Sequence, residues 1–203
     1  MNNLLLDLVP TTVDIDGISY EINSNFRNSI LFELLIQDNE LTDVDKITQA
    51  LDLYYPVLPA NIPEAIEKML WFYRCGSNLD EIKSTGSGRG SKNNVYSFEY
   101  DSDYIYSAFL DQYNIDLQDL DYLHWWKFKA MFKGLKEDNE FVKIMGYRAM
   151  DLSKIEDKKM KELYRKLKKL YKIPNNISDS EKEKMDKLNE ILLNGGDISE
   201  VLT

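Results

Sequence analysis

The stretch Tyr122-Leu-His-Trp-Trp-Lys-Phe-Lys-Ala-Met-Phe-Lys-Gly-Leu135 constrains the fold more than any other, because it sets two of the chain's three tryptophans side by side. Neighbours on a helix point about 100° apart, so adjacent indoles cannot share one narrow stripe. With Tyr122 at 0°, Trp125, Phe128, Met131, Phe132 and Leu135 fall between about 180° and 300° and form one apolar face. Trp126 falls at about 40°, beside Tyr122, Ala130 and Lys133. A helix of this kind needs apolar neighbours on two sides. The first is the chain's own core. The second is either a further helix of the same chain or another protein, because a tryptophan beside a lysine-rich rim resembles an interface hot spot. The candidate protein-binding residues are therefore Tyr122, Trp125, Trp126, Phe128, Phe132 and Lys133.

Around this segment the helical period dominates. Phe26, Ile30, Leu31, Leu34 and Leu35 outline one helix face. Thr42, with Asp43 and Asp45 behind it, reads as an N-cap with acids in the first turn, and that helix ends before Pro56. Asn61 and Glu64 resemble a capping box for a third helix through Ile66, Met69, Leu70 and Tyr73. Further helices are expected over Tyr104–Tyr113, within Asp116–Leu135, from Glu140 to Tyr147, and over Ile155–Tyr171. A last one opens at the Ser178–Glu181 capping box and stops at Gly195-Gly196. The exception lies near the start. Val13–Ile22 alternates apolar and polar residues about Asp16-Gly17, the signal of a two-residue hairpin turn. A lone hairpin is marginal in water, so it must lie against something. The expected fold is mainly α, a multi-helix bundle with a small N-terminal β-hairpin. Residues 1–75 hold the hairpin and first helices, 76–95 form a Gly/Ser-rich loop, and 96–203 form a helical region with the Trp-Trp motif, unless all belong to one domain.

Candidate chemistry is sparse. His124 is the only histidine and Cys75 the only cysteine, so no zinc set of the usual spacing and no internal disulfide can be assembled. Gly86–Lys92 places its lysine after Gly90-Ser91 and lacks the buried strand of a phosphate loop. The Asp-x-Asp pairs at 14/16, 43/45, 101/103 and 119/121 lack the ligand ladder of a calcium loop and read chiefly as turn and helix-cap residues. No catalytic residue, cofactor or metal is assigned. The net charge of −10 argues against a general nucleic-acid binder. It is unevenly spread: residues 1–150 hold 13 basic and 24 acidic residues, whereas Lys158–Lys172 holds eight basic and one acidic. That basic face is usually solvated; it can also dock on the acidic part of a neighbouring copy, with nucleic acid or an anionic membrane as the least favoured reading. No run is long enough to span a bilayer, and the start lacks the basic region of a secretory signal.

Asp101–Leu117, Leu123–Leu135 and Phe141–Arg148, with the Trp-Trp-x-Phe core among them, resemble the bacteriophage gene-product-fifteen family of siphophages and prophages of Gram-positive bacteria. The resemblance implies a non-catalytic tail assembly chaperone that binds the tape-measure protein and helps recruit subunits of the major tail protein. It also implies action in the host cytoplasm and absence from the mature virion. Self-association is a further expected interaction. The alternative is a structural virion component, a tail-completion or connector protein.

Overall fold

The computed structural model describes residues 3–77 and 95–174. These fall into two compact units, one of residues 3–77 with 122–130 and the other of residues 95–121 with 131–174. The fold is mainly α. Among the described residues are seven α-helices and one two-stranded antiparallel hairpin. The expected helix over 178–192 and most of the 76–95 loop lie outside the described residues.

In the first unit, β1 (Thr12–Ile15) pairs with β2 (Ile18–Glu21) in the register Ile15↔Ile18. Asp16 and Gly17 take φ of 50° and 75°, the two left-handed positions that an Asp-Gly turn tolerates. The hairpin does lie against the rest of the unit. Asn61 at the start of α3 (Ile62–Tyr73) donates to the Asp16 carboxylate at 2.9 Å, and the Asp16 amide donates to Glu64 at 3.1 Å. Asn61 also accepts from the Glu64 amide, so one residue caps the helix and ties down the turn. Thr42 caps α2 (Asp43–Tyr54) in the same way.

The face buried by α1 (Phe26–Gln37) differs from the one expected. Phe26, Ser29, Phe32 and Ile36 enter the core, whereas Leu31 is 51% exposed. Phe32 meets the ring edges of Tyr54 and Tyr73, and Ser29 accepts from the Tyr54 hydroxyl at 2.8 Å. α1 carries apolar residues on two arcs, and these aromatic partners decide which arc is covered. Below it the buried Lys46 donates from Nζ to the Ile36 carbonyl at 3.0 Å, filling one of the acceptors a helix end leaves open.

The second unit contains α4 (Ser102–Tyr113), the end of α5 (Trp125–Lys133), α6 (Glu140–Ala149) and α7 (Lys158–Leu170). Phe98, Ile105, Phe109, Phe132, Phe141 and Ile144 form its apolar interior. Asp101 precedes α4 but makes no side-chain cap, contrary to the capping role its position suggests. Instead it holds Arg148 bidentately at 2.6 and 2.8 Å and accepts from the Ser97 amide. Arg148 donates onward to the carbonyls of Val95 and Tyr171. One buried fork thus joins three separate segments of the unit, with each charge met by several partners.

Candidate functional site

The tryptophan segment enters as extended chain. The Phe26 amide donates to the Leu123 carbonyl and the Trp125 amide to the Ser24 carbonyl, each at 2.8 Å, around a bridge between Asn25 and His124. This pairing delays the helix. Residues 116–124 do not join it, contrary to the sequence expectation, and α5 begins at Trp125. Tyr122 therefore stands off the helix. It is 53% exposed, and its hydroxyl lies 2.7 Å from Ser24 Oγ.

His124 starts the helix. Its Nδ1 accepts from the Trp126 amide at 3.0 Å, so the neutral ring carries its proton on Nε2, which donates to the Pro10 carbonyl at 2.9 Å. Burial, the largest influence, lowers the pKa of His124; the Pro10 hydrogen bond raises it and the charge of Lys127 adds to the depression. The only histidine thus serves as a helix cap.

The two indoles divide one task. Trp125 Nε1 donates to the Tyr73 carbonyl and Trp126 Nε1 to the Phe72 carbonyl, both at 2.8 Å. These acceptors are consecutive and close α3, and the Phe72 carbonyl also accepts from the Cys75 amide at 2.9 Å as the helix end tightens. Successive carbonyls are offset by about 100° around a helix axis, as adjacent side chains are, so a tryptophan pair fans out to meet a carbonyl pair. Trp125 also stacks on Tyr73 and Phe128, and Phe128 stacks on Phe26 at 4.9 Å. Trp126 meets Trp71 edge-on at 5.6 Å and keeps 6% of its surface exposed. Lys129 Nζ sits 4.9 Å above the Trp125 ring.

The six candidate residues therefore separate. Trp125, Trp126 and Phe128 come together in the core of the first unit. Phe132 is buried in the second among Tyr96, Phe98 and Phe141. Tyr122 and Lys133 are the two that solvent reaches. Sequence reasoning missed the acceptors at Phe72 and Tyr73. The signal was present: a buried indole N–H seeks a partner, and Tyr73-Arg-Cys-Gly76 marks a helix end, where carbonyls can accept from side chains. That end turns at Cys75, φ 58°, and Gly76, φ 76°, with the Gly76 amide returning to the Trp71 carbonyl.

Among the described residues, no group of three or more His, Cys, Asp or Glu could hold a metal ion, and no helix is long and apolar enough to cross a membrane. The accessible features are apolar surfaces. Leu5, Leu6 and Leu8 are almost fully exposed near the start of the chain, and Val57 and Leu58 protrude from the connector after α2.

A family model described as Bacteriophage Gp15 protein matches residues 5–173 of this chain. Comparison with curated proteins and with solved structures gives no match.

Proposed function

The chain belongs to the Bacteriophage Gp15 protein family, and on that premise we propose that it is a phage tail assembly chaperone. In this reading it catalyses no reaction. It holds the tape-measure protein soluble in the host cytoplasm, helps recruit subunits of the major tail protein, and is left behind when the virion is complete. The carrying observation is the family match, which spans most of the chain and supports a structural or assembly role in a phage.

The surface fits that role physically. A long polypeptide that exposes apolar helical surface before its tube closes around it aggregates unless those surfaces are covered. A cover that must later be displaced needs open apolar patches of modest affinity, such as Leu5, Leu6, Leu8, Val57 and Leu58 offer. A net charge of −10 keeps such a protein soluble on its own. Of the six tryptophan-segment residues, Tyr122 and Lys133 are the contacts a partner reaches. Trp125, Trp126 and Phe128 hold the backbone near Tyr122 in place.

Co-expression with the tape-measure protein tests the proposal. The expected result is a higher soluble yield of that protein and copurification of the two. The absence of both rescue and copurification would refute it. Mass spectrometry of purified particles separates a chaperone, depleted from virions, from a structural tail component, present in fixed copy number.

A further inference from the structure

Among the described residues the second apolar arc of α1 is only partly covered: Leu31 is 51% exposed, and Leu34 and Leu35 are half-buried. Leu31, Leu34 and Leu35 lie about 80° to 180° around the helix from Phe26, away from the buried arc. With Leu53 of α2 they line an open groove of ≈ 510 Å³, whose remaining lining residues are Asp38, Gln49 and Asp52. Residues 26–54 carry six acidic and two basic residues. Asp38 stands at the C-terminal end of α1, near the Lys46 ammonium that meets the Ile36 carbonyl, and the groove rim remains net negative. The groove therefore asks for an apolar ridge edged with positive charge.

α7 presents such a ridge. Its 13 residues include seven basic and one acidic, and none of them is buried despite a continuous apolar stripe. The inner side of that stripe is occupied: Tyr164, and Tyr171 just past the helix end, pack against Tyr147 of α6. The outer side is open, with Leu163 48% and Leu170 71% exposed. Lys159, Leu163, Lys166 and Leu170 follow one another at spacings of four, three and four, which places them on a single ridge.

We infer that α7 of one copy docks in the α1–α2 groove of a second copy. Leu163 and Leu170 enter among Leu31, Leu34, Leu35 and Leu53, and Lys159 and Lys166 meet Asp38 and Asp52. The two surfaces are different patches of the same chain, so the contact is heterologous and propagates from copy to copy unless the rotation closes it into a ring. This inference goes beyond the chaperone reading and stands without it, though a propagating array suits a protein that must cover an elongated polypeptide.

Sedimentation velocity on the full chain, over a hundredfold range of concentration, tests it. The wild type is expected to associate with rising concentration, and less so as salt is raised and the charges are screened. Asp38→Lys with Asp52→Lys, or Lys159→Glu with Lys166→Glu, should each weaken association at least about tenfold while leaving the far-ultraviolet circular dichroism that of a folded chain. Mixing the two charge-reversed proteins should restore association, because each then offers what the other lacks. A wild type that stays monomeric throughout, association untouched by either reversal, or no recovery on mixing would each overturn the inference. None of these measurements involves the tape-measure protein, so failure here is distinct from failure of the chaperone reading.

Discussion

Replacing Trp126 by alanine tests whether the tryptophan pair builds the core. The side chain is 6% exposed, contacts Trp71, Phe72 and His124, and donates to the Phe72 carbonyl. Truncating a buried tryptophan costs about 3–5 kcal/mol, since the lost burial is joined by the vacated volume. Of that, about 0.5–1.5 kcal/mol belongs to the hydrogen bond. Trp126→Phe, which keeps an aromatic ring and loses the N–H, should therefore fall between wild type and Trp126→Ala. If the chain unfolds as one cooperative unit, each kcal/mol shifts a chain of this size by about 2–4 °C, so Trp126→Ala should melt about 6–20 °C lower. Far-ultraviolet circular dichroism during thermal and urea unfolding is the suitable assay, because tryptophan fluorescence is itself altered. Trp125→Ala should be at least as damaging, since that ring is fully enclosed. An alanine variant at 126 that melts like wild type but no longer binds its partner would refute the core assignment.

Three other outcomes are expected. Asp101→Asn or Arg148→Met alone leaves a buried group without its counter-charge and should cost about 3–5 kcal/mol, whereas Asp101→Leu with Arg148→Met should cost clearly less than the two singles added; urea titration of all three variants checks this. Because the folded-state pKa of His124 lies below its ordinary 6.5, the unfolded chain binds the extra proton first, so this contribution to stability is complete above pH 6.5 and declines as the pH falls below it. His124→Asn, which keeps a side-chain acceptor before Trp126, should remove that part of the pH dependence in melting curves from pH 7.5 to 5. Arg74 keeps Nε and Nη1 buried without a hydrogen-bond partner, so Arg74→Met should raise stability by about 1–3 kcal/mol, measured by urea unfolding.

Legibility from sequence followed how local each cause was. The Asp16-Gly17 turn and the caps at Thr42 and Asn61 are set by neighbouring residues, and the structure reproduces them. The covered face of α1 depends on partners far along the chain, Tyr54 and Tyr73. A helix with leucines on both sides does not announce which side those partners will choose. The start of α5 is hidden from the sequence for a related reason: the helical period runs on through Tyr122, but backbone pairing with residues 24–26 holds Tyr122–His124 extended. Asp101 read as a cap because its salt-bridge partner lies 47 positions away. The Trp-Trp pair was recognised as two-faced from its spacing alone. What it faced, two carbonyls at the end of α3, is a tertiary fact.

The return of residues 122–130 to the first unit sets an order on its birth at the ribosome. The helices before residue 77 emerge early, yet the indoles that complete them arrive only once residue 130 has been made. At about 5–20 residues per second, the intervening 53 residues take roughly 3–10 s to synthesise. For that interval the nascent chain carries an unfinished aromatic pocket past other chains of its kind. A message truncated before Trp125 would release it in that state for good.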